Sequence, residues 1–368
     1  MKNILVFGAG AVGRGYIPWL FDERTHVIDF VDININLIRD LSSSRSFTSF
    51  MTDTDGYKGK EVSIRKMYHI DVITSELIDD YDYVLTAIGP RQFMTLSELF
   101  KNSKTPIVCF ENDRNLVGLM RRATSRSDIY FGIPDVIASS SSSKELEMCH
   151  KNCLITEQGV TFVEAGAENL DGDITYASEE EISSQWAAKL YIHNTPHCIA
   201  AYLGSLKGKE FLHEAMSCPD IYRIVESVAT EMAEMVQKEF GLSADFSKFY
   251  LEKELSRFSN PLLFDPIARI AREPFRKLAL NDRLIGAATR AISNNVNIPS
   301  TLLGVIAAFS YDDQNDSDRN IEILFKSLTP SDFLGIAIGL NSHEVIYQLL
   351  LKQWDQSVRI LQEIRNNG

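Results

Sequence analysis

Met1-Lys2-Asn3-Ile4-Leu5-Val6-Phe7-Gly8-Ala9-Gly10-Ala11-Val12-Gly13-Arg14-Gly15 opens the chain with a short apolar strand that runs straight into G-x-G-x-x-G and then a helix. Each glycine of that pattern has a mechanical task. Gly8 makes the tight turn, Gly10 lets the backbone approach a pyrophosphate, and Gly13 lets helix and strand pack closely. The phosphates are expected on the helix N-terminus, where unpaired N–H groups and the helix dipole favour negative charge. Gly8, Ala9, Gly10, Ala11, Val12 and Gly13 are therefore candidate dinucleotide contacts.

A bare G-x-G-x-x-G carries little weight, but a second apolar run, Val27-Ile28-Asp29-Phe30-Val31, ends in Asp32 at about the 20-residue distance that the fingerprint requires. Asp32 would accept hydrogen bonds from the adenosine ribose hydroxyls and repel a 2′-phosphate, which favours NAD over NADP. Two further strands follow, Tyr83 to Ile88 closed by Gly89-Pro90, and Ile107 to Phe110 closed by Glu111-Asn112-Asp113. Short β-rich runs ending in turn residues suit parallel strands buried on both faces. Ligands bind outside the carboxyl ends of such strands, so Gly8, Asp32, Ala87 and Asn112 are expected on one edge, with Ile33 beside Asp32.

Farther along, Ser139 to Ser143 is a run of five serines without apolar period and reads as a loop. Leu154-Ile155-Thr156 and Val160-Thr161-Phe162-Val163 read as a hairpin across Glu157-Gln158-Gly159, or as a strand pair capping the sheet. From about Glu179 the pattern becomes helical, with Ile224, Val225, Val228, Met232 and Met235 near helical spacing between Ile221 and Phe240. Asp312 to Asp318 reads as a solvated acidic loop without chemistry. The expected fold is α/β: an N-terminal Rossmann-like doubly wound sheet over 1–182, and a C-terminal, mainly α-helical domain over 183–368.

Composition agrees with two domains, since 368 residues exceed the size at which one core stops growing. Hydrophobic content of 45% with 24% charged residues is that of a soluble globular protein. No apolar run approaches a membrane span of about 20 residues, and Met1-Lys2-Asn3 leads into a core strand instead of a cationic leader, so a cytoplasmic protein is expected. A net charge of −13 argues against nucleic acid as a partner. The five cysteines, Cys109, Cys149, Cys153, Cys198 and Cys218, are an odd number and suit reduced thiols. Cys149-His150-x-x-Cys153 lacks a second pair at zinc-ligand spacing, so no metal is expected.

Residues 189–197, Lys-Leu-Tyr-Ile-His-Asn-Thr-Pro-His, group a base, an amide and two imidazoles. At 3.6 residues per turn Lys189, His193, Asn194 and His197 fan over an arc of about 140°. Apolar and small neighbours on both sides predict that this polar face is buried or lines a cleft. Pro196 disfavours α geometry at Thr195 and removes a donor. Either one helix ends near Asn194 and another starts with Thr195 as N-cap, or one long helix kinks.

Lys189-x-x-x-x-Asn194-x-x-His197, followed by Ala200-Ala201-Tyr202-Leu203-Gly204, resembles the signature of the polyol-specific long-chain dehydrogenases. Cys109-Phe110-Glu111-Asn112, Arg257-Phe258-x-Asn260-Pro261, Arg272-x-Pro274-x-Arg276-Lys277-Leu278 and Asp282-Arg283-Leu284 extend the resemblance over most of the chain. Pro196 stands where that family usually has glycine. The resemblance implies metal-independent, NAD-linked interconversion of a secondary alcohol and a ketone on an open-chain sugar, with mannitol 1-phosphate and fructose 6-phosphate as the expected pair. Lys189 would be the general base, Asn112 and Asn194 would hold the substrate oxygen, and His197 would orient or bind the carbonyl group.

A secondary alcohol yields hydride only as its proton leaves, so a base is required, and a lysine serves near neutral pH only if its pKa is depressed. Amide donors aimed at the developing oxyanion can do the work of a metal ion. Arg257, Asn260, Arg272, Arg276 and Lys277 are candidate substrate contacts, because guanidinium groups suit phosphate oxygens. The same cations could instead pair with Asp265, Glu273 and Asp282. The expected partner is a small-molecule polyol or sugar phosphate, with the protein a monomer or homodimer. The alternatives are a dehydrogenase of free polyols or of sugar acids of the fructuronate and tagaturonate type, or a catalytically inactive NAD-sensing protein.

Overall fold

A computed structural model describes residues 1–52, 56–313, 316, 318 and 320–366. The chain divides into two compact units, Met1–Trp186 with Leu262–Phe264, and Ala187–Pro261 with Asp265–Gly368. A single cut after residue 182 does not provide for the three-residue segment 262–264, which returns to the first unit. There, Tyr57 donates to the Leu262 carbonyl at 2.8 Å and Ser139 to that of Phe264 at 2.8 Å.

The first unit holds two sheets. The larger contains β1 (Lys2–Phe7), β2 (His26–Asp32), β5 (Met67–His69), β6 (Tyr83–Thr86), β7 (Ile107–Cys109), β8 (Ile129–Asp135), β11 (Val160–Glu164) and β12 (Thr175–Ala177). Their order is β12-β11-β8-β7-β6-β1-β2-β5. Strands β5-β2-β1-β6-β7-β8 are all parallel, the doubly wound order in which the chain switches direction beside β1. Side-chain alternation explains the two-sided burial: Ile4 and Val6 enter one core with Tyr16, Phe30 and Leu41. Leu5 and Phe7 enter the other, with Ile78, Phe100 and Met120.

The smaller sheet, β4-β3-β10-β9, joins β3 (Ser46–Thr52), β4 (Tyr57–Ser63), β9 (Ala138–Ser139) and β10 (Leu154–Glu157). It corrects two expectations. β10 and β11 do not pair with each other: β10 lies parallel to β3, while β11 lies antiparallel to β8. Gly159 sits so close to β8 that a Cβ there would meet the Asp135 carbonyl at 2.5 Å, so the Gln158-Gly159 link passes the chain from one sheet to the other. The serine run is also ordered at both ends. Ser139 pairs with Ile155 in β9, and Ser143 caps the Lys144–Cys149 helix by accepting from the Leu146 N–H at 3.3 Å.

The second unit is helical. Its longest helices are Pro219–Phe240, which buries Ile221, Val225, Val228, Met232 and Met235, and Val345–Asn366. The acidic stretch falls partly outside the described residues, but Asp316 and Asp318 are more than a solvated loop. They accept from the backbone N–H groups of Glu273 (2.9 Å) and Phe275 (3.1 Å), which tie down the turn at Glu273, whose φ is +59°. Among the described residues no helix is long and apolar enough to cross a membrane.

The glycine turn yields a stability test. A Cβ on Gly13 would meet the Gly8 carbonyl oxygen at 1.8 Å, whereas one on Gly10 meets nothing within 4 Å. Gly13→Ala should lower the stability of the first unit by about 1–3 kcal/mol through overpacking, and Gly10→Ala should stay within about 0.5 kcal/mol of the parent, as read from thermal unfolding midpoints.

Candidate active site

In the first unit the carboxyl ends of β2, β1, β6 and β7 carry the candidate nucleotide contacts. Gly8 has φ +98°, a conformation that favours glycine, and a Cβ there would strike the Ala87 carbonyl at 2.4 Å. Its N–H donates to Val31 at 2.8 Å, and the Ala87 N–H donates to Phe7 at 2.8 Å, so the strand ends are drawn together. Asp32 Oδ2 accepts from the Ala9 N–H at 2.8 Å and Oδ1 from the Asn34 N–H at 2.8 Å. A carboxylate offers about four lone-pair sites, so capacity for two hydroxyls remains. Ile33 beside it is 72% exposed, an apolar platform on the rim.

The segment after the turn departs from a regular helix. Ala11–Tyr16 is π-helical and Ile17–Leu20 is a 3₁₀ turn. Gly13, Gly15 and Pro18 explain this, since glycine is a poor helix former and proline removes a donor. Arg14 folds back, donating from Nε to the Ala9 carbonyl at 2.5 Å, and is buried over Phe47. Sequence reading assigned no role to Glu111. Its buried carboxylate accepts from the N–H groups of Ile88 (2.8 Å) and Gly89 (2.7 Å), which clamps the loop after β6, and burial raises its pKa. Asn112 follows it, partly buried.

In the second unit Ala188–Asn194 is π-helical and continues directly into the α-helix Thr195–Leu206. Asn194 and Thr195 both keep right-handed helical dihedrals, so the chain neither stops nor restarts at Pro196. The i→i+5 bonding of a π segment absorbs the missing donor by widening the helix. Lys189 and His197 are each 8% exposed, and His193 and Asn194 each 4%. The polar face is buried, and its two histidines have ionic partners.

His193 Nδ1 contacts the carboxylate of Glu254, which is fully buried and also accepts from Arg257 Nη1 at 2.6 and 2.8 Å. His197 Nε2 lies 3.0 Å from Asp265 Oδ2, whose Oδ1 accepts from Arg269 Nε at 2.9 Å and Nη2 at 2.5 Å. The two rings are 4.9 Å apart, and His197 stacks on Phe258 at 5.0 Å. Burial lowers the His193 pKa to about 4 against the pull of Glu254, and lowers that of His197 against the pull of Asp265. Burial would raise Asp265, but Arg269 and His197 hold it below its ordinary value. Both imidazoles are therefore neutral near pH 7 and face carboxylates.

The proposed phosphate clamp takes a different form. Arg276 donates to Glu273 at 2.8 Å and to Asp282 at 2.9 Å, and Arg257 is held by Glu254. The ion-pair alternative thus describes Arg276, while Asp265 pairs with Arg269, a residue that sequence reading passed over. Lys277 is 2% exposed and donates to the carbonyls of Ile270 and Arg272. Burial, helped by Arg283, brings its pKa down to about 7. Asn260 is partly buried, its N–H donating to Arg257 at 3.1 Å, and Arg272 is exposed.

Comparison with known proteins places these features in a family. The profile of the mannitol dehydrogenase Rossmann domain matches residues 2–105, and that of the mannitol dehydrogenase C-terminal domain matches residues 182–327. The mannitol-1-phosphate 5-dehydrogenase of Exiguobacterium sibiricum is 25% identical, over 95% of this chain and 96% of that protein. The protein of the same name from Brevibacillus brevis is 26% identical, over 95% and 98%. Mannitol 2-dehydrogenase of Pseudomonas fluorescens, solved as a ternary complex with NAD and D-mannitol, superposes with a TM-score of 0.78 at 16% identity, over 100% of this chain and 94% of that one. At that identity the likeness is one of fold.

The buried imidazoles make an acid-stability test. His193 is neutral in the fold down to about pH 4, whereas in the unfolded chain it takes up a proton near its ordinary value of 6.5. Its contribution is present above that value and is lost as pH falls through the window between the two. At pH 5 the loss is roughly 2 kcal/mol, at about 1.4 kcal/mol per pH unit. His193→Leu should flatten the fall of the unfolding midpoint between pH 7 and pH 5 relative to the parent.

Proposed function

The chain belongs to the mannitol dehydrogenase family, and we propose that it is an NAD-dependent dehydrogenase that interconverts a polyol phosphate and a ketose phosphate, mannitol 1-phosphate and fructose 6-phosphate. The observation that carries the reading is the burial of Lys189, Asn194 and His197 together on one widened helical segment. The glycine turn fits NAD: Gly10 leaves its surroundings open, Gly8 and Gly13 are sterically closed to side chains, and Asp32 ends β2 with acceptor capacity to spare. When bound, NAD accepts the hydride.

Lys189 takes the hydroxyl proton. Its burial, at 8% exposure, keeps bulk water from competing for that proton. Asn112 and Asn194 supply amide N–H groups to the oxygen as alkoxide character develops, a stabilisation that grows toward the transition state. His197 accepts a hydrogen bond at its second nitrogen, because the N–H facing Asp265 is already committed. It therefore orients the substrate through a neighbouring hydroxyl, since the proton of the reacting hydroxyl goes to Lys189, and with no N–H to spare it does not bind the carbonyl group as the resemblance implied. Arg257 and Arg269, beside the two carboxylates, disfavour a divalent cation there and support a metal-independent reaction.

A second reading, a dehydrogenase of free polyols, has one observation in its favour: Arg257, Arg269 and Arg276 each already hold a carboxylate. Initial rates of NAD and NADP reduction on hexitol phosphates and free hexitols, and of NADH oxidation on uronates, separate the possibilities. Turnover of a hexitol phosphate with NAD preferred is the expected result, and turnover of unphosphorylated substrates alone transfers the assignment to the second reading. Lys189→Ala should lower kcat by about 10²–10⁴-fold while NADH still quenches protein fluorescence. If NADH binds the parent but no substrate turns over, the protein is a nucleotide sensor. With chemistry rate-limiting, kcat/KM for oxidation should rise with pH through one ionisation that is absent in Lys189→Ala.

A further inference from the structure

His193 has no task in the proposed reaction, yet it shares the physical properties of His197. Each ring faces a carboxylate that is itself held by an arginine: Arg257, Glu254, His193 on one side, and Arg269, Asp265, His197 on the other. An ionised carboxylate only accepts, so the facing nitrogen carries the proton, Nδ1 on His193 and Nε2 on His197. Each ring then has one lone pair left, on Nε2 of His193 and Nδ1 of His197. The rings are 4.9 Å apart and both contact Phe258, at 5.3 and 5.0 Å, so they lie on one face of the helix. His193 is no more secluded than Asn194.

A buried ion pair with an attached imidazole is a poor device for stability alone, since well-packed apolar residues of similar volume do as well or better. What the arrangement supplies is a second fixed acceptor one helical turn from Lys189. A lone pair can accept from a hydroxyl and has nothing to offer a ketone oxygen.

We propose that His193, positioned by Glu254, is a specificity-determining residue that accepts a hydrogen bond from a hydroxyl of the polyol other than the one being oxidised. The inference rests on the reading that an open-chain polyol is the substrate.

The test compares kcat/KM on the best polyol substrate with kcat/KM on analogues lacking one hydroxyl each, for the parent, His193→Leu and His193→Gln. The parent should reject one deoxy analogue by about 10- to 100-fold, the range expected when a buried acceptor is left unmatched. His193→Leu should lose about that factor on the full polyol and little on that analogue, so that discrimination collapses. His193→Gln, which keeps an acceptor oxygen, should restore part of it. Far-UV circular dichroism and the thermal unfolding midpoint report that each variant is folded. Equal losses on the full and deoxy substrates, or loss of folding in both variants, would show a structural residue and overturn the proposal. A parent that turns over no polyol overturns the underlying reading as well, which is a separate outcome.

Discussion

Charge buried away from water has to be paired, and the second unit is organised by that requirement. Glu254 and Asp265 are almost entirely withdrawn from solvent, and each would cost several kcal/mol if left alone. Each is met by an arginine three or four residues along the same stretch of chain and by an imidazole from the 188–206 segment. The arginine secures the negative charge of the carboxylate, and the carboxylate decides which ring nitrogen bears the proton. A tautomer set in this way is a fixed acceptor that needs no reorganisation when a substrate hydroxyl donates to the remaining ring nitrogen.

The backbone serves the same end. A regular α-helix spreads Lys189, Asn194 and His197 over a broad arc and would meet Pro196 with an unpaired carbonyl. In the π turn the ladder is reset to five residues, and Thr195 adds a bond from Oγ1 to the Arg283 carbonyl at 2.7 Å that pins the irregularity to a neighbouring segment. The glycine-rich segment after β1 is also π-helical, and there Arg14 ties its own turn to Ala9. Both irregular turns coincide with positions where ligand groups are proposed to bind, in keeping with the general association of π-bulges with function.

How much of this could be read without coordinates follows the range of each interaction. The glycine turn, Asp32 and the parallel strands are local in their cause, since a turn needs glycine and a doubly buried strand needs an apolar run, so residues a few positions apart suffice. The partners of β10 and β11 are not local. Their spacing resembles a hairpin, and only the pairing of Leu154–Glu157 with β3, about a hundred residues earlier, and of Val160 with Asp135 in β8 separates them. The polar face of 189–197 was legible from spacing and its burial from its neighbours. Glu254 and Arg269 were not, because a carboxylate with an arginine one turn away has the same pattern on an exposed helix as in a core. Pro196 pointed to an irregularity but left its form open, as the widened turn depends on packing against Arg283.

Charge accounting bears on the substrate. Arg257, Arg269, Arg276 and Arg283 have Glu254, Asp265, Glu273 and Asp282 as partners, with Asp282 shared between two of them. Lys253 also lies 3.2 Å from Glu254, so five positive groups stand against four negative ones, and burial lowers the Lys277 pKa to about 7. A doubly charged phosphate would have to compete with these carboxylates for guanidinium forks, whereas neutral hydroxyls would need only lone pairs and amide donors. An uncharged hexitol makes no such demand, so the two substrate classes differ in what they ask of these ion pairs.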